Sequence, residues 1–227
     1  MRRHVRRIST VLIAAGALLL ADAAVTLLWQ EPVSALYGRI QQGRLEDRLA
    51  QLERAPLAAV DRRALAALDE GRRVAFAARA LARRSRAGDP LGRIRMPSIG
   101  LARVFVEGTG AGALRTGPGH YPGTPLPGQR GTVGIAGHRT TYGAPFHDLD
   151  RLRRGDPIEL AMPYGRFEYR VERTRIVAPT ATEVTDRVGF DRLILSACHP
   201  LYSAAQRIVV FARQVRVIPA GIASSEG

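Results

Sequence analysis

From Leu91 onward the chain consists of short aliphatic and β-branched runs separated by clusters of glycine and proline, and this pattern constrains the fold most. Runs of this length and composition predict β-strands. The predicted strands are Gly92–Met96, Arg103–Glu107, Thr132–Ala136, Pro157–Met162, Arg166–Val177, Arg192–Cys198 and Gln206–Val217. About seven strands within roughly 130 residues, with little helix between them, predict a mainly β fold that closes into a barrel.

The first 30 residues predict a membrane anchor. A basic cluster occupies residues 1–7, and an apolar run with few polar interruptions follows from Ile8 to Trp29. As a helix this run extends about 33 Å, which is enough to cross the hydrocarbon core of a bilayer. Arginines before the run and Trp29 at its far end favour a single pass with a cytoplasmic N-terminus and the following domain outside the cell. Membrane lipid is therefore a predicted partner of this helix.

A cleaved signal peptide is the alternative interpretation of the same segment. Ala21-Asp22-Ala23 resembles a signal-peptidase site, and it follows a basic start and an apolar stretch as such a site would. The apolar character continues past this site to Leu28. This continuation favours a retained anchor.

Residues 31–90 predict a helical stalk or linker. The segment is rich in alanine, leucine, arginine and glutamate, with apolar residues at helical spacing, and the turn signal Gly88-Asp89-Pro90 ends it. The chain is thus predicted to comprise a basic cytoplasmic start and transmembrane anchor over 1–30, the stalk over 31–90, the barrel domain over 91–219 and a flexible tail over 220–227.

The charge and the cysteine count exclude several classes of protein. The net charge is +14, and all 34 basic residues are arginine. Such a balance suits an anionic partner surface, but the arginines are spread along the chain with few aromatic residues among them. We therefore predict no nucleic-acid partner. A single cysteine excludes an internal disulfide and argues against a cysteine-based zinc site, so we predict no metal site.

Three side chains near predicted strand ends have the chemistry for covalent catalysis. His138 follows one strand, Cys198 ends another, and Arg207 opens the strand after it. A hairpin of the last two strands would place Cys198 beside Arg207, and a third strand would bring His138 alongside. A thiolate attacks carbonyl carbons, an imidazole protonates a leaving amine, and a guanidinium offers directed donors to an oxyanion. Each residue alone is more often structural, but the combination predicts acyl transfer.

The residues around these three positions carry a family resemblance. Residues 117–124 read Gly-Pro-Gly-His-Tyr-Pro-Gly-Thr, and residues 136–146 read Ala-Gly-His-Arg-Thr-Thr-Tyr-Gly-Ala-Pro-Phe. Residues 193–200 read Leu-Ile-Leu-Ser-Ala-Cys-His-Pro and precede Arg207. These stretches resemble the histidine, nucleophile and arginine regions of sortases, and of class E sortases in particular. The resemblance covers residues 91–219.

The resemblance implies a closed sortase-type β-barrel of about eight strands, with no metal and no organic cofactor. It implies a cysteine transpeptidase with Cys198 as nucleophile, His138 as acid and base, and Arg207 as the cation beside the oxyanion. The enzyme would cleave the Thr–Gly bond of a Leu-Ala-x-Thr-Gly or Leu-Pro-x-Thr-Gly sorting signal and form a thioester. An amine on a peptidoglycan precursor or a pilin would then accept the acyl group. The protein partners would be surface proteins with such a signal, met at the outer face of the cell membrane.

The same resemblance makes Tyr121 and Ala197 candidate substrate-binding residues. Tyr121 would form a wall of the substrate groove, although simple packing against the barrel is an equal alternative. The family pattern before the cysteine is Thr-Leu-x-Thr-Cys, whereas this chain has Ile-Leu-Ser-Ala-Cys over 194–198. Ala197 therefore lacks a hydroxyl that the pattern places near the oxyanion or the substrate backbone. We expect this departure to affect rate or substrate preference rather than reaction class.

Two other functions fit parts of the sequence. An L,D-transpeptidase also uses cysteine and histidine, but its signature has glycine directly before the cysteine and arginine two residues after it. Here Ala197 precedes Cys198, and Arg207 follows nine residues later. The non-enzymatic alternative is a basic, membrane-tethered domain that binds an anionic wall polymer and buries Cys198 in its core. Thiol labelling of the folded protein distinguishes that alternative, because a core cysteine would not react.

Overall fold

The computed structural model describes residues 2–28, 32–54 and 68–220 of the chain. Helices are α1 (Arg2–Leu28), α2 (Pro32–Arg54), α3 (Glu70–Arg84) and the single turn α4 (Ala111–Leu114). Strands are β1 (Pro90–Met96), β2 (Leu101–Glu107), β3 (Gly119–His120), β4 (Thr132–Ala136), β5 (Pro157–Met162), β6 (Gly165–Val177), β7 (Arg192–His199) and β8 (Gln206–Pro219). Short 3-10 turns lie at Pro97–Ile99, Leu149–Arg151 and Thr182–Thr185.

The eight strands form a closed barrel in the order β1-β2-β3-β4-β7-β8-β6-β5, with β5 pairing back onto β1. Most neighbours are antiparallel, but β2–β3 and β4–β7 are parallel. The predicted mainly β barrel of about eight strands is therefore confirmed. The strand that the sequence did not predict is β3, which has only two residues and too short a pattern to recognise.

Strand β7 shows how the barrel separates its core from its outer surface. Leu193, Leu195 and Ala197 belong to the main apolar core inside the barrel. Ile194 belongs to a different apolar cluster, which it forms with Val209 of β8. Because side chains alternate along a strand, Ser196 and Cys198 share the outer face with Ile194. The nucleophile candidate thus lies outside the barrel at the end of a strand whose inner face is fully packed.

Helices α2 and α3 pack against the barrel, which differs from the expected stalk. Leu45 and Leu49 of α2 are buried against Val104 and Val106 of β2. The buried residues of α3 join the main core itself; they are Val74, Ala78 and Leu81. The apolar spacing that predicted a helix was therefore the face that docks on the barrel, and the folded unit begins well before Leu91.

A side chain of α2 also makes hydrogen bonds with the backbone of β2. The Gln42 amide donates to the Val104 and Thr116 carbonyls at 3.0 and 2.8 Å, and its carbonyl accepts from the Val104 N–H at 2.8 Å. Strand β2 pairs with β3 only at Val106 and Glu107, so Val104 lies beyond the paired residues. Gln42 therefore satisfies backbone groups that the short β3 leaves unpaired.

Within the three described segments, no helix is long and apolar enough to cross a membrane. Helix α1 begins at Arg2 and contains the basic cluster and much of the apolar run. The side chains of residues 22–30 lie outside the described part of the chain, and so do residues 221–227 of the predicted tail. The single-pass anchor and the flexible tail therefore stay predictions.

Candidate active site

Cys198 and Arg207 lie directly opposite each other on β7 and β8. Their Cα atoms are register partners in the antiparallel ladder, and no bulge interrupts this ladder. Directly opposed residues of an antiparallel pair present their side chains on the same face. Cys198 is half-buried, so its thiol is not sealed in the core. The side-by-side placement expected from a hairpin is confirmed.

His138 lies on the other side of Cys198, just past the end of β4. The parallel ladder pairs Ala136 with Ser196, and the Gly137 N–H donates to the Ser196 carbonyl at 3.0 Å. A Cβ on Gly137 would lie 2.6 Å from the core ring of Phe146, so residue 137 faces inward. His138 therefore faces outward, level with Cys198. The order β4-β7-β8 places Cys198 between His138 and Arg207.

The His138 imidazole is packed beside an aromatic ring. The ring centroids of His138 and Tyr142 are 5.2 Å apart, and the Arg115 guanidinium carbon lies 5.8 Å from the Tyr142 centroid. Burial, and then the positive charge of Arg115, lower the pKa of His138. The neutral imidazole is therefore favoured at this position. No hydrogen bond to the His138 ring is present among the described residues, so no carboxylate there orients it.

The Arg207 guanidinium is fixed by the β7–β8 loop. Its Nη1 donates to the Ala204 and Gln206 carbonyls, each at 2.9 Å. Within the described residues, Nε and Nη2 make no hydrogen bond or ion pair. Arg207 therefore combines an anchored head group with donors that remain for an anion beside Cys198.

Tyr121 lies on the outer face next to the nucleophile strand. Its hydroxyl is 2.7 Å from the Ser196 hydroxyl, and Ser196 is two residues before Cys198 on the same face. The ring covers Gly134, where a Cβ would approach the Tyr121 ring to 2.7 Å. The absence of a side chain at residue 134 is what lets Tyr121 lie across β4 and reach β7.

The Ala197 side chain faces away from the site. It is 3% exposed and belongs to the barrel core, opposite Ile208 of β8. A peptide at Cys198 would meet the backbone of Ala197 rather than its methyl group. A hydroxyl added at this position would enter the apolar core of the barrel and would not face Cys198.

Three residues with a place in this site were not predicted from the sequence. The Tyr142 ring contacts the imidazole, the charge of Arg115 acts on it, and Arg139, the next residue after His138, is buried. Tyr142 and Arg139 belong to the motif 136–146, which is the signal in the sequence that could have indicated them. Among the described residues, no group of three His, Cys, Asp or Glu side chains is placed to hold a metal ion.

Comparison with known proteins decides the family. The sortase domain profile matches residues 94–215, which is more than half of the chain. This chain belongs to the sortase family. It is 32% identical to sortase D of Bacillus subtilis over 132 residues, which cover 56% of this chain and 65% of that protein. Identity to sortase SrtE1 of Streptomyces coelicolor is 27% over 148 residues, or 58% of this chain and 42% of that protein.

Solved structures agree on this sortase fold. Sortase E from Streptomyces avermitilis is 32% identical and has a TM-score of 0.54, covering 63% of this sortase and 97% of that chain. Sortase E1 from Streptomyces coelicolor, solved with a tripeptide in its active site, is 26% identical with a TM-score of 0.56, and the match covers 60% of this sortase and 93% of that chain. Class E sortases are thus among its relatives, and the barrel is of the sortase type. The chain spans less than two thirds of the length of both curated relatives above.

Proposed function

We propose that this sortase is a cysteine transpeptidase that cleaves a sorting signal between threonine and glycine and transfers the acyl part to an amine. The observation that supports this best is the order of side chains on three neighbouring strands. Cys198 lies between His138 and Arg207, with Arg207 as its direct register partner. A nucleophile, an acid–base group and an anion donor in one row are what two-step acyl transfer requires.

The first step forms the thioester. His138 accepts the thiol proton as the Cys198 sulfur bonds to the threonine carbonyl carbon, and the oxyanion that results accepts hydrogen bonds from the Arg207 guanidinium. As the C–N bond to glycine breaks, His138 donates a proton to the departing amine. The departing peptide carries the new N-terminal glycine, and the threonine carbonyl remains as a thioester on Cys198.

The second step transfers the acyl group. An amine attacks the thioester carbonyl and loses a proton to His138. The C–S bond then breaks, and His138 passes this proton to the sulfur, which leaves the Cys198 thiol and a new amide. We propose that the amine belongs to a peptidoglycan precursor or a pilin. Water would give the hydrolysed acid by the same path, so the outcome depends on which nucleophile reaches the thioester first.

We propose that peptide and membrane contacts come from two other parts of the chain. Tyr121 would line the groove for the sorting signal, since it lies on the outer face beside β7. Ala197 would contribute only backbone groups to that groove. The N-terminal segment would hold the enzyme at the cell membrane with the barrel outside. The exposed apolar side chains of α1, among them Ile8, Leu12 and Leu19 at 61, 66 and 71% exposure, support this placement.

Peptide cleavage by the full-length protein tests the proposal. Quenched fluorescent peptides with a Leu-Ala-x-Thr-Gly or Leu-Pro-x-Thr-Gly sequence should be cut at the Thr–Gly bond, and mass spectrometry should detect the acyl group on Cys198. Cys198→Ala should abolish both signals. Arg207→Ala should slow thioester formation by about 100- to 1000-fold, the usual cost of one oxyanion donor.

The controls separate chemistry from folding. Arg207→Lys should recover only part of the rate, because an ammonium group lacks the directed pair of donors. Ser203→Ala, in the same loop, should keep the parent rate. Undiminished cleavage by Cys198→Ala would refute the nucleophile, and a folded Cys198 that does not react with a thiol reagent would support the non-enzymatic alternative.

A further inference from the structure

Arg139 is a buried charge that the proposed chemistry does not use. It follows His138 directly, and its side chain is only 3% exposed. Burying a guanidinium is costly unless its N–H groups find partners. The partners of Arg139 therefore indicate what this buried charge does.

Each end of the Arg139 guanidinium contacts a different part of the fold. Nη2 pairs with the Asp150 carboxylate at 3.0 Å, and Nε donates to the His147 carbonyl at 3.3 Å. Nη1 lies 3.2 Å from Nδ1 of His199, the residue after the nucleophile. In return, the His147 ring Nδ1 donates to the Arg139 carbonyl at 2.9 Å. Arg139 thus connects the loop after β4 to the end of β7.

This connection lies where the backbone ladder between the two strands stops. The last ladder pair is Ala136 with Ser196, followed by the single bond from the Gly137 N–H. Continuing this parallel register places His138 level with Cys198, and Arg139 level with His199 on the opposite face. His138 has no side-chain hydrogen bond in the described part of the chain. Its carbonyl accepts from the Phe146 N–H at 2.9 Å and its ring packs against Tyr142, and the distance to β7 depends further on what holds the strand ends together beyond the ladder.

We propose that Arg139 and His199 form a clamp that positions the His138 imidazole beside the Cys198 thiol. The role rests on the proposed function, in which His138 and Cys198 act together. The clamp does not touch the substrate, so both members are positioning residues. Because a guanidinium can only donate, His199 must present Nδ1 as an acceptor and carry its proton on Nε2.

His199 is the better residue for testing the clamp. It is half-buried at a strand end. Arg139→Ala, by contrast, would leave the Asp150 carboxylate without its partner and would also create a buried cavity. His199→Ala removes the acceptor. His199→Asn keeps one, because the asparagine amide oxygen can occupy the position of Nδ1. Arg151→Ala is the matched control, since it removes another arginine–aspartate pair of the same loop, Arg151 with Asp148, at 73% exposure of the arginine.

The readout is the rate of Cys198 alkylation by iodoacetamide as a function of pH, measured on the full-length chain. This rate needs no peptide substrate, and Cys198 is the only cysteine. His138→Ala should change the pH profile, which establishes that the imidazole and the thiol interact. His199→Ala should shift the pH dependence of the alkylation rate in the same direction as His138→Ala does. His199→Asn and Arg151→Ala should keep the parent profile. With a cleavable peptide, His199→Ala should lower the acylation rate by about 10- to 100-fold at unchanged KM, because small misplacements of a catalytic group have effects of this size.

A double variant decides between positioning and mere structure. In a His138→Ala background, adding His199→Ala should leave the alkylation profile unchanged, since the clamp acts only through His138. A further change in that background would refute the clamp, as would a parent profile in His199→Ala. If His138→Ala itself has no effect on Cys198, the proposed pairing of the two residues fails instead, so the two failures are distinguishable.

Discussion

At the scale of single residues, the environment of His138 depends on a charge that lies outside the proposed catalytic row His138, Cys198 and Arg207. Arg115 is remote in sequence from all three, yet its charge contributes to the lowered pKa of His138. Burial is the larger cause. The unfolded chain, which lacks both effects, binds a proton at residue 138 more readily. Protonation of this residue therefore costs folding stability: the stability is full above about pH 6.5, the ordinary pKa, and is lost as the pH falls through the folded-state pKa.

We expect Arg115→Ala to raise the pKa of His138, because it removes a like charge without exposing the ring. The measurement is an NMR titration of the histidine C–H signals in Cys198→Ala, a background in which no thiol titrates with the imidazole. His138→Ala in the same background assigns the signal. Added salt should move the parent pKa in the same direction as Arg115→Ala, since it screens a partly exposed charge.

The control for this titration is Arg95→Ala, which removes an exposed arginine from β1, a strand that is not adjacent to β4. It should leave the pKa of His138 unchanged. A pKa that falls, or stays constant, in Arg115→Ala would show that Arg115 does not control this imidazole.

At the scale of secondary-structure elements, α2 is held close to the loop that follows His138. Gly38 of α2 is buried against the backbone of Tyr142, and a Cβ there would lie 2.8 Å from the Tyr142 carbonyl oxygen. The rings of Tyr37 and Tyr142 meet edge to face with centroids 6.2 Å apart. Tyr142 thus has α2 on one side and the His138 ring, at 5.2 Å, on the other. The helix expected to form a stalk thus packs against the loop that follows His138.

Two glycines of α2 provide a matched test of this close approach. Gly43→Ala should raise the free energy of unfolding by about 0.5–1 kcal/mol, because alanine favours a helix and nothing lies within 4 Å of the new methyl group. Gly38→Ala offers the same helix preference but places its methyl group against the Tyr142 backbone, so it should lower that free energy. Urea unfolding followed by circular dichroism measures both. Equal gains for the two variants would show that α2 does not dock here.

At the scale of the whole molecule, helix and barrel share one core. Val74, Ala78 and Leu81 of α3 are buried in the same cluster as the inward residues of the barrel strands. The family profile begins only at residue 94, after this helix. The unit that folds together is therefore larger than the segment by which the family is recognised.

Leu81→Ala tests whether α3 unfolds with the barrel. We expect a loss of about 2–5 kcal/mol, the range for a leucine truncated in a core, in a single transition. The helical signal at 222 nm and the near-ultraviolet aromatic signal should show the same midpoint. Arg83→Ala, at an exposed position of α3, should change the stability by less than about 0.5 kcal/mol. Two separate transitions would mean that α3 is an independent element.

The sequence predicts the parts of this molecule that depend on local pattern. The bounds of β4 and β5 agree with the predicted strands, because a short apolar run in β4, alternation in β5 and the flanking glycine or proline residues define them locally. The pairing of Cys198 with Arg207 follows from one hairpin. The docking of α2 was not predictable, since the apolar spacing of its leucines is the same for a free stalk and for a packed helix. Burial of Arg139 was not predictable, because its partners lie further along the same loop, at His147 and Asp150, and on another strand, at His199.

Strand β7 presents core residues and Cys198 on alternate faces, so the placement of the proposed nucleophile is sensitive to strand slippage. Moving β7 by one position against β8 would turn Cys198 into the barrel and put Ala197 in its place outside. The reactive sulfur would then be sealed among aliphatic side chains. Length changes in the loop at 200–205 would leave the inward and outward faces of β7 unchanged. One residue inserted between Leu193 and Cys198 would instead exchange the two faces for the residues that follow it. The reactivity of the thiol therefore reports whether β7 has paired with β8 in the correct register.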